Sequence, residues 1–125
     1  MRQREQIIHN YVNAYNNFDI DGMLIHLDPD ILFKNVSEGA INMTLEGLTA
    51  FRAQAEKAKS LFSQRYQQII RFKHDEHQSE IDIDYRATLA VDLSDELKKG
   101  SKLELKGKSI FKFSQDKIIA ITDVS

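Results

Sequence analysis

Asp123 is the side chain best placed to move a proton. It lies in Lys117–Val124, a stretch with the composition of a strand. If it shares a face with Ile119 and Ile121, burial disfavours its charge and lifts its pKa toward the range useful for acid–base work. If Ile118, Ala120, Thr122 and Val124 form the inward set, the carboxyl is solvated and idle. One residue of register separates the two cases. The segment His74-Asp75-Glu76-His77 has the side-chain types of a metal site. On a strand, however, residues three apart face opposite ways, so both imidazoles reach one ion only across a turn. The plainer reading is a charged hairpin turn, and no metal is expected. His26 follows the apolar side of a short helix, where it either lines an interior or sits at the surface.

Other chemistries lack their parts. The chain has no cysteine, which removes disulfides, thiol catalysis, Cys-ligated zinc and iron–sulfur clusters. No Ser/His/Asp ordering, phosphate-binding loop or glycine-rich dinucleotide signature is present. No cofactor is expected. Seventeen Lys and Arg stand against 19 Asp and Glu, for a formal charge of −2. This balance gives no electrostatic case for nucleic acid or an anionic membrane. Apolar runs fall far short of the roughly 20 residues that span a bilayer. Met1-Arg2-Gln3-Arg4-Glu5-Gln6 leads into no apolar signal-peptide core. A cytoplasmic location is the expectation, consistent with the absence of cysteine.

The elements that must position these groups follow from periodicity. The chain of 125 residues has a single proline and no linker-like tract, so one domain over 1–125 is expected. Ile7, Ile8, Tyr11, Val12, Tyr15 and Phe18 make a helical stripe. Asp19 is an N-cap for a second helix over Ile20–Leu27, ended by Asp28-Pro29-Asp30. Ile31–Val36 and Ile41–Leu45 form a hairpin turning near Glu38-Gly39. A third helix runs from about Leu48 to Ser63 with the stripe Leu48, Phe51, Ala55, Ala58 and Phe62. Four strands follow. Tyr66–His74 carries Ile70, Phe72 and His74 on one face. In Glu80–Asp92, Ile81, Ile83, Tyr85, Ala87, Leu89 and Val91 alternate with polar residues. In Lys102–Phe113, Leu103, Leu105, Gly107, Ser109, Phe111 and Phe113 share a face. Lys117–Val124 closes the chain. The order α-α-β-β-α-β-β-β-β makes an α+β domain whose helices cover one face of a curved, mostly antiparallel sheet. Such a sheet is a cone, and a cone has an interior.

Four stretches then resemble one family. Tyr11-Val12-Asn13-Ala14-Tyr15 with Asn17-Phe18-Asp19-Ile20-Asp21-Gly22 is similar to its first helix and the start of its second. Leu27-Asp28-Pro29-Asp30-Ile31 resembles the entry into its first strand. Leu45-Glu46-Gly47-Leu48-Thr49-Ala50-Phe51 resembles the start of its third helix. Asp116-Lys117-Ile118-Ile119-Ala120-Ile121-Thr122-Asp123-Val124 resembles its closing strand. Together they identify the chain as similar to the nuclear transport factor 2-like superfamily, whose cystatin-like fold includes ketosteroid isomerase, scytalone dehydratase and the SnoaL-like polyketide cyclases. The resemblance implies an oxyanion-binding role for Tyr11 and an acid–base role for Asp123. It puts Asn35 where the isomerase carries its proton-abstracting aspartate. An amide accepts no proton at useful pH, so isomerase chemistry of that kind is not expected. At Lys106-Gly107-Lys108-Ser109 the isomerase's protonated aspartate also has no counterpart.

The expected pocket is lined by Tyr11, Tyr15, Met23, Phe33, Asn35, Phe51, Phe62, Tyr85, Ser109 and Phe111, with His26 as a further ligand-binding candidate. That set is mostly apolar with a few hydroxyls and an amide, as small-molecule sites tend to be. The first functional expectation is a SnoaL-like protein that binds a small apolar or aromatic molecule. The second is a cyclase, isomerase or dehydratase with Asp123 as acid–base. The third is a protein-interaction module with a collapsed cone. The lysines at 98, 99, 102, 106, 108, 112 and 117 form a basic patch, of which Lys106 and Lys108 are expected to face Asp82, Asp84 or Glu80 across strands. Relatives often pair outer sheet faces, so a homodimer through this charged face is expected, polar and wet.

Overall fold

The structure, a computed structural model, describes residues 1–125. Helix α1 spans Arg2–Asn16 and buries Ile7, Ile8, Tyr11, Val12 and Ala14, the stripe that its 3.6-residue period places on one side. Helix α2 is a single short piece, Ile20–Leu24, capped by Asp19, whose carboxylate accepts from Gly22 N at 2.9 Å. Strands β1 (Leu27–Ser37) and β2 (Ala40–Glu46) form the first hairpin, and α3 (Leu48–Lys59) follows. Gly47 turns the chain into α3 with φ of 89°, a conformation that favours glycine. Strands β3 (Phe62–His74), β4 (Gln78–Leu89), β5 (Lys102–Ser114) and β6 (Lys117–Val124) complete a six-stranded sheet in the order β2-β1-β6-β5-β4-β3. Only β1 and β6 run parallel. The expected α+β architecture and element order hold, with three helices packed on a curved, mostly antiparallel sheet.

Several boundaries differ from the sequence reading. Helix α2 stops at Leu24 rather than Leu27, because Leu27 is already paired with Ile118 in β1. Pro29, which has no N–H to give, sits where the β1–β6 register slips between Leu27 and Leu32. Helix α3 ends at Lys59 rather than Ser63, and Phe62 belongs to β3, opposite Leu89. A register shift between Ile69 and Arg71 breaks the alternation of β3. Ile69 therefore packs on the core, and Ile70 is turned out at 44% exposure. Strand β4 stops at Leu89, which leaves Val91 in the following loop.

The core lies between the helices and the inner sheet face, with Ile8, Ile31, Ile81, Phe111, Ile118 and Ile121 essentially buried. Burial of this kind contributes about 25 cal/mol per Å² of apolar surface removed from water. On the outer face, Lys106 pairs with Asp84 at 2.9 Å, Lys108 with Glu80 at 3.5 Å and Arg71 with Asp82 at 2.9 Å. These are the cross-strand partners expected of an alternating charged face.

The turn that follows β3 is tied to the start of α1. Arg4 donates to the carbonyls of Asp75 and Glu76 at 2.7 and 2.6 Å. His74 lies between Ser79 Oγ at 2.6 Å and Glu5 Oε2 at 2.7 Å, while His77 is exposed beside Glu76. The two imidazoles thus serve different surroundings, as residues three apart on a strand-and-turn must.

Candidate functional site

The inner face of the sheet carries one polar row among its apolar ones. Asn35 on β1, Asp123 on β6 and Ser109 on β5 are register neighbours across three strands. Their side chains meet the interior because β6 takes the inward register for Asp123. That register is not the simple alternation with Ile119 and Ile121. A shift opposite Lys112 and Phe113 turns both Ile118 and Ile121 inward and leaves Ile119 at the surface. Beyond the shift, alternation from Ile121 carries Asp123 inside.

Ser109 Oγ donates to Asp123 Oδ1 at 2.6 Å. Burial pushes the Asp123 carboxyl up to about 6, and the Ser109 bond opposes part of that rise. A carboxyl titrating there exists in both protonation states near neutral pH, as a general acid–base requires. Gly107, two residues before Ser109, makes room for this end of β6. A Cβ at that position would meet the Val124 carbonyl oxygen at 2.7 Å.

Asp123 stands where two cavities meet. The inner one, of about 210 Å³, is walled by Tyr11, Met23, Phe33, Met43, Phe51 and Ala55. The other, of about 230 Å³, lies toward the sheet end and touches Tyr85, Gly107, Ser109 and Ser125. Tyr15, Asn35 and Asp123 line both. An apolar cavity of about 150 Å³ takes a benzene, so each lobe has room for one aromatic ring. Phe33 and Phe51 form an edge-to-face pair at 5.7 Å on the wall of the inner lobe.

Three phenols accompany the carboxyl. Tyr11 and Tyr15 are one helical turn apart on α1 and face the same way. The Tyr11 ring packs edge-on against Phe111 at 5.7 Å. Burial raises the Tyr11 pKa well above its ordinary value, and the Asp123 charge raises it further. Tyr15 and Tyr85 share a hydroxyl–hydroxyl bond of 2.9 Å. Burial raises both of their pKa values as well. All three are therefore neutral hydrogen-bond donors across the physiological range. Asn35 Nδ2 donates to Asn42 Oδ1 at 2.9 Å, which turns its amide along the β1–β2 hairpin.

Of the residues expected from the sequence, Tyr11, Tyr15, Met23, Phe33, Asn35, Phe51, Tyr85, Ser109 and Asp123 come together around these lobes. Three do not. His26 lies in a surface depression beside Gln6, Asn10 and Asp116, because β1 starts at Leu27 and carries it to the N-terminal end of α1. Phe62 packs edge-on behind Tyr85 at 6.4 Å, since β3 rather than α3 holds it. Phe111 is 1% exposed and forms the floor beneath Tyr11 rather than a wall. Leu105 shares the inward parity of β5, yet it is 53% exposed at the outer edge of the second lobe. Met43 and Leu45 on β2 and Gln54 on α3 line the inner lobe and were not anticipated. The alternation of Ile41, Met43 and Leu45 carried that signal for β2. Gln54 lies three residues after Phe51 and four before Ala58, at the flank of the helical stripe, but its polar side chain gave no apolar signal.

Residues 8–121 match the family model of the SnoaL-like domain. No curated protein matches the chain significantly. Among solved structures, a candidate polyketide cyclase from Xanthomonas campestris pv. campestris superposes with a TM-score of 0.84 at 16% identity, covering 99% of this chain and 90% of that one. TerC, co-crystallised with polyporic acid, gives 0.79 at 14% identity over 97% and 89% of the two chains. An epoxide hydrolase of LEH-like type from M. tuberculosis gives 0.77 at 13% identity over 98% and 82%. At these identities the structural likeness speaks for the fold. The family match spans most of the chain, and the fold agrees with it from the first helix to the closing strand, so this protein belongs to the SnoaL-like domain family.

Proposed function

We propose that the two-lobed cone binds a small aromatic or apolar carbonyl compound and that Asp123 exchanges a proton with it, in a cofactor-independent reaction of the cyclase or isomerase type. The observation that carries this reading is the inward Asp123 carboxyl at the junction of the lobes, pushed up to about 6 beside neutral phenols. Proton transfer from a carbon next to a carbonyl leaves an enolate. Tyr11, buried and turned toward the same lobe, is the donor for that oxygen. Asn35 cannot take a proton, so the acid–base work rests on Asp123 alone. Simple binding without chemistry is the runner-up, because the site holds a single titrating carboxyl. The cavity of about 210 Å³ argues against a collapsed interaction module. We also propose a homodimer contact on the outer sheet face, where the cross-strand pairs Lys106–Asp84 and Lys108–Glu80 lie.

The test is hydrogen–deuterium exchange at the carbon beside the carbonyl of one-ring aryl ketones, followed by NMR in D2O. The wild-type protein should accelerate the exchange, and Asp123→Asn should lower the rate by about a hundredfold or more. Equal rates with the two proteins would remove Asp123 from the chemistry. Saturable binding of the ketones without exchange would leave the binding reading alone.

A further inference from the structure

A charged residue lies directly behind the phenols and takes no part in the chemistry above. Arg65 on β3 is 5% exposed and has no carboxylate partner. Its Nε donates to the Tyr15 carbonyl at 2.8 Å. Its guanidinium lies over the Tyr15 ring at 3.7 Å from the centroid and over Phe18 at 4.5 Å. One terminal nitrogen, Nη2, is buried without any hydrogen-bond partner. A buried unpaired charge is expensive. Two rings and the carbonyl end of α1 compensate only part of that cost.

The cation lies outside both lobes, behind the Tyr15 ring, while Asp123 stands at their junction. The charge of Arg65 opposes the upward shifts of Tyr11, Tyr15 and Tyr85. The rise at Asp123 comes from burial, with Ser109 as the other influence. The positive field is thus felt at the phenols. Tyr15, stacked on the guanidinium, lines both lobes and shares its hydroxyl bond with Tyr85. A cation on the ring makes the Tyr15 hydroxyl a stronger donor, and the buried setting of the guanidinium limits how far solvent screens the effect.

We propose that Arg65 is a positioning residue that polarises the Tyr15–Tyr85 pair and makes the cone select ligands bound through an anionic oxygen, an enolate or phenolate. The inference rests on the cavity being a ligand site, as proposed above. It adds an orientation: Tyr15, backed by Tyr85, joins Tyr11 on the ligand oxygen, and the carbon that yields a proton points to Asp123.

Arg65 also caps α1, so the test must read charge and not stability. The probe is 4-nitrophenol, one ring with an ionisation visible in its absorbance, titrated with pH in Asp123→Asn protein to remove the opposing carboxylate. With Arg65 present, the bound probe should ionise about one unit below the free probe, a tenfold preference for the phenolate. Arg65→Gln retains a planar donor for the Tyr15 carbonyl without charge and should abolish that shift while neutral probe still binds. Arg65→Lys, which keeps the charge, should restore at least half of it. An equal shift in Arg65→Gln, or preferential binding of neutral probe with Arg65 present, would overturn the proposal. If Arg65→Gln does not fold, Arg65→Lys decides: a retained shift supports the proposal and a lost one overturns it. Failure of the probe to bind at all would overturn the cavity reading and this inference together, whereas binding without a shift overturns the inference alone.

Discussion

Replacing Asp123 with asparagine should make the protein more stable, and only above a defined pH. The carboxyl titrates near 6 in the fold against an ordinary 3.8. The native state therefore holds this proton more tightly than the unfolded chain. Between those two values the native state binds more protons, so stability falls as pH rises through the window. The loss is complete above the folded value. At about 1.4 kcal/mol per pKa unit it amounts to about 3 kcal/mol, and solvent at the mouth trims it toward about 2 kcal/mol. Asparagine keeps an oxygen to accept the Ser109 hydrogen bond and carries no charge to desolvate. The variant and the wild type should thus be equally stable below pH 4 and should separate by about 2–3 kcal/mol above pH 7. For a domain of this size the gap corresponds to roughly 10 °C in melting temperature. Urea denaturation of both proteins from pH 3.5 to 8 measures it, and the difference cancels every other carboxylate. A gap that stays flat with pH would mean that Asp123 titrates normally, and the acid–base reading would lose its physical basis.

Gly107→Ala should cost about 1–3 kcal/mol, because the new methyl meets backbone at Val124 and the strand end must move. The same shift should return the Asp123 titration toward its ordinary range, which carboxyl NMR would show; an unchanged titration would mean that β6 does not depend on this contact. A homodimer through the outer face, held by contacts such as Lys106–Asp84 and Lys108–Glu80 regrouped between subunits, should weaken as salt rises from 0.1 to 1 M and the screening length falls from about 10 to 3 Å. Sedimentation equilibrium would read this, and a salt-strengthened dimer or a monomer throughout would refute the polar contact.

The strands with strict alternation were legible. In β4, Ile81, Ile83, Ala87 and Leu89 face inward as their period of two requires. What stayed hidden were the irregularities. Ile69-Ile70 and Ile118-Ile119 each offer two isoleucines in a row, and a bulge rather than composition decides which is buried. The face of Asp123 hung on the second of these. Helix ends were misjudged where an apolar residue, Leu27 or Phe62, suits a helical stripe and a strand equally well. Arg65 was illegible for another reason. Arginine is almost never fully buried without a charged partner, so Arg65 reads as solvent-facing until Tyr15 and Phe18 are seen to enclose it.

The parallel pairing of β1 with β6 bears on how the protein comes to exist. The row Asn35, Asp123 and Ser109 joins an early strand to the last one, across most of the chain. The hairpins β1–β2, β3–β4, β4–β5 and β5–β6 can close from near neighbours, but β1 and β6 pair only by closing a loop through everything between them. The β1–β6 pairing is thus the last seam of the sheet to be sewn. An intermediate without it holds the β3–β6 meander, with Asp123 beside Ser109, and still leaves Asn35 and the β1 wall of the cone apart from the carboxyl. During refolding, native-like fluorescence of tyrosines on α1 and β4 would then precede binding competence, and the gap between the two signals is the time the β1–β2 hairpin needs to join β6.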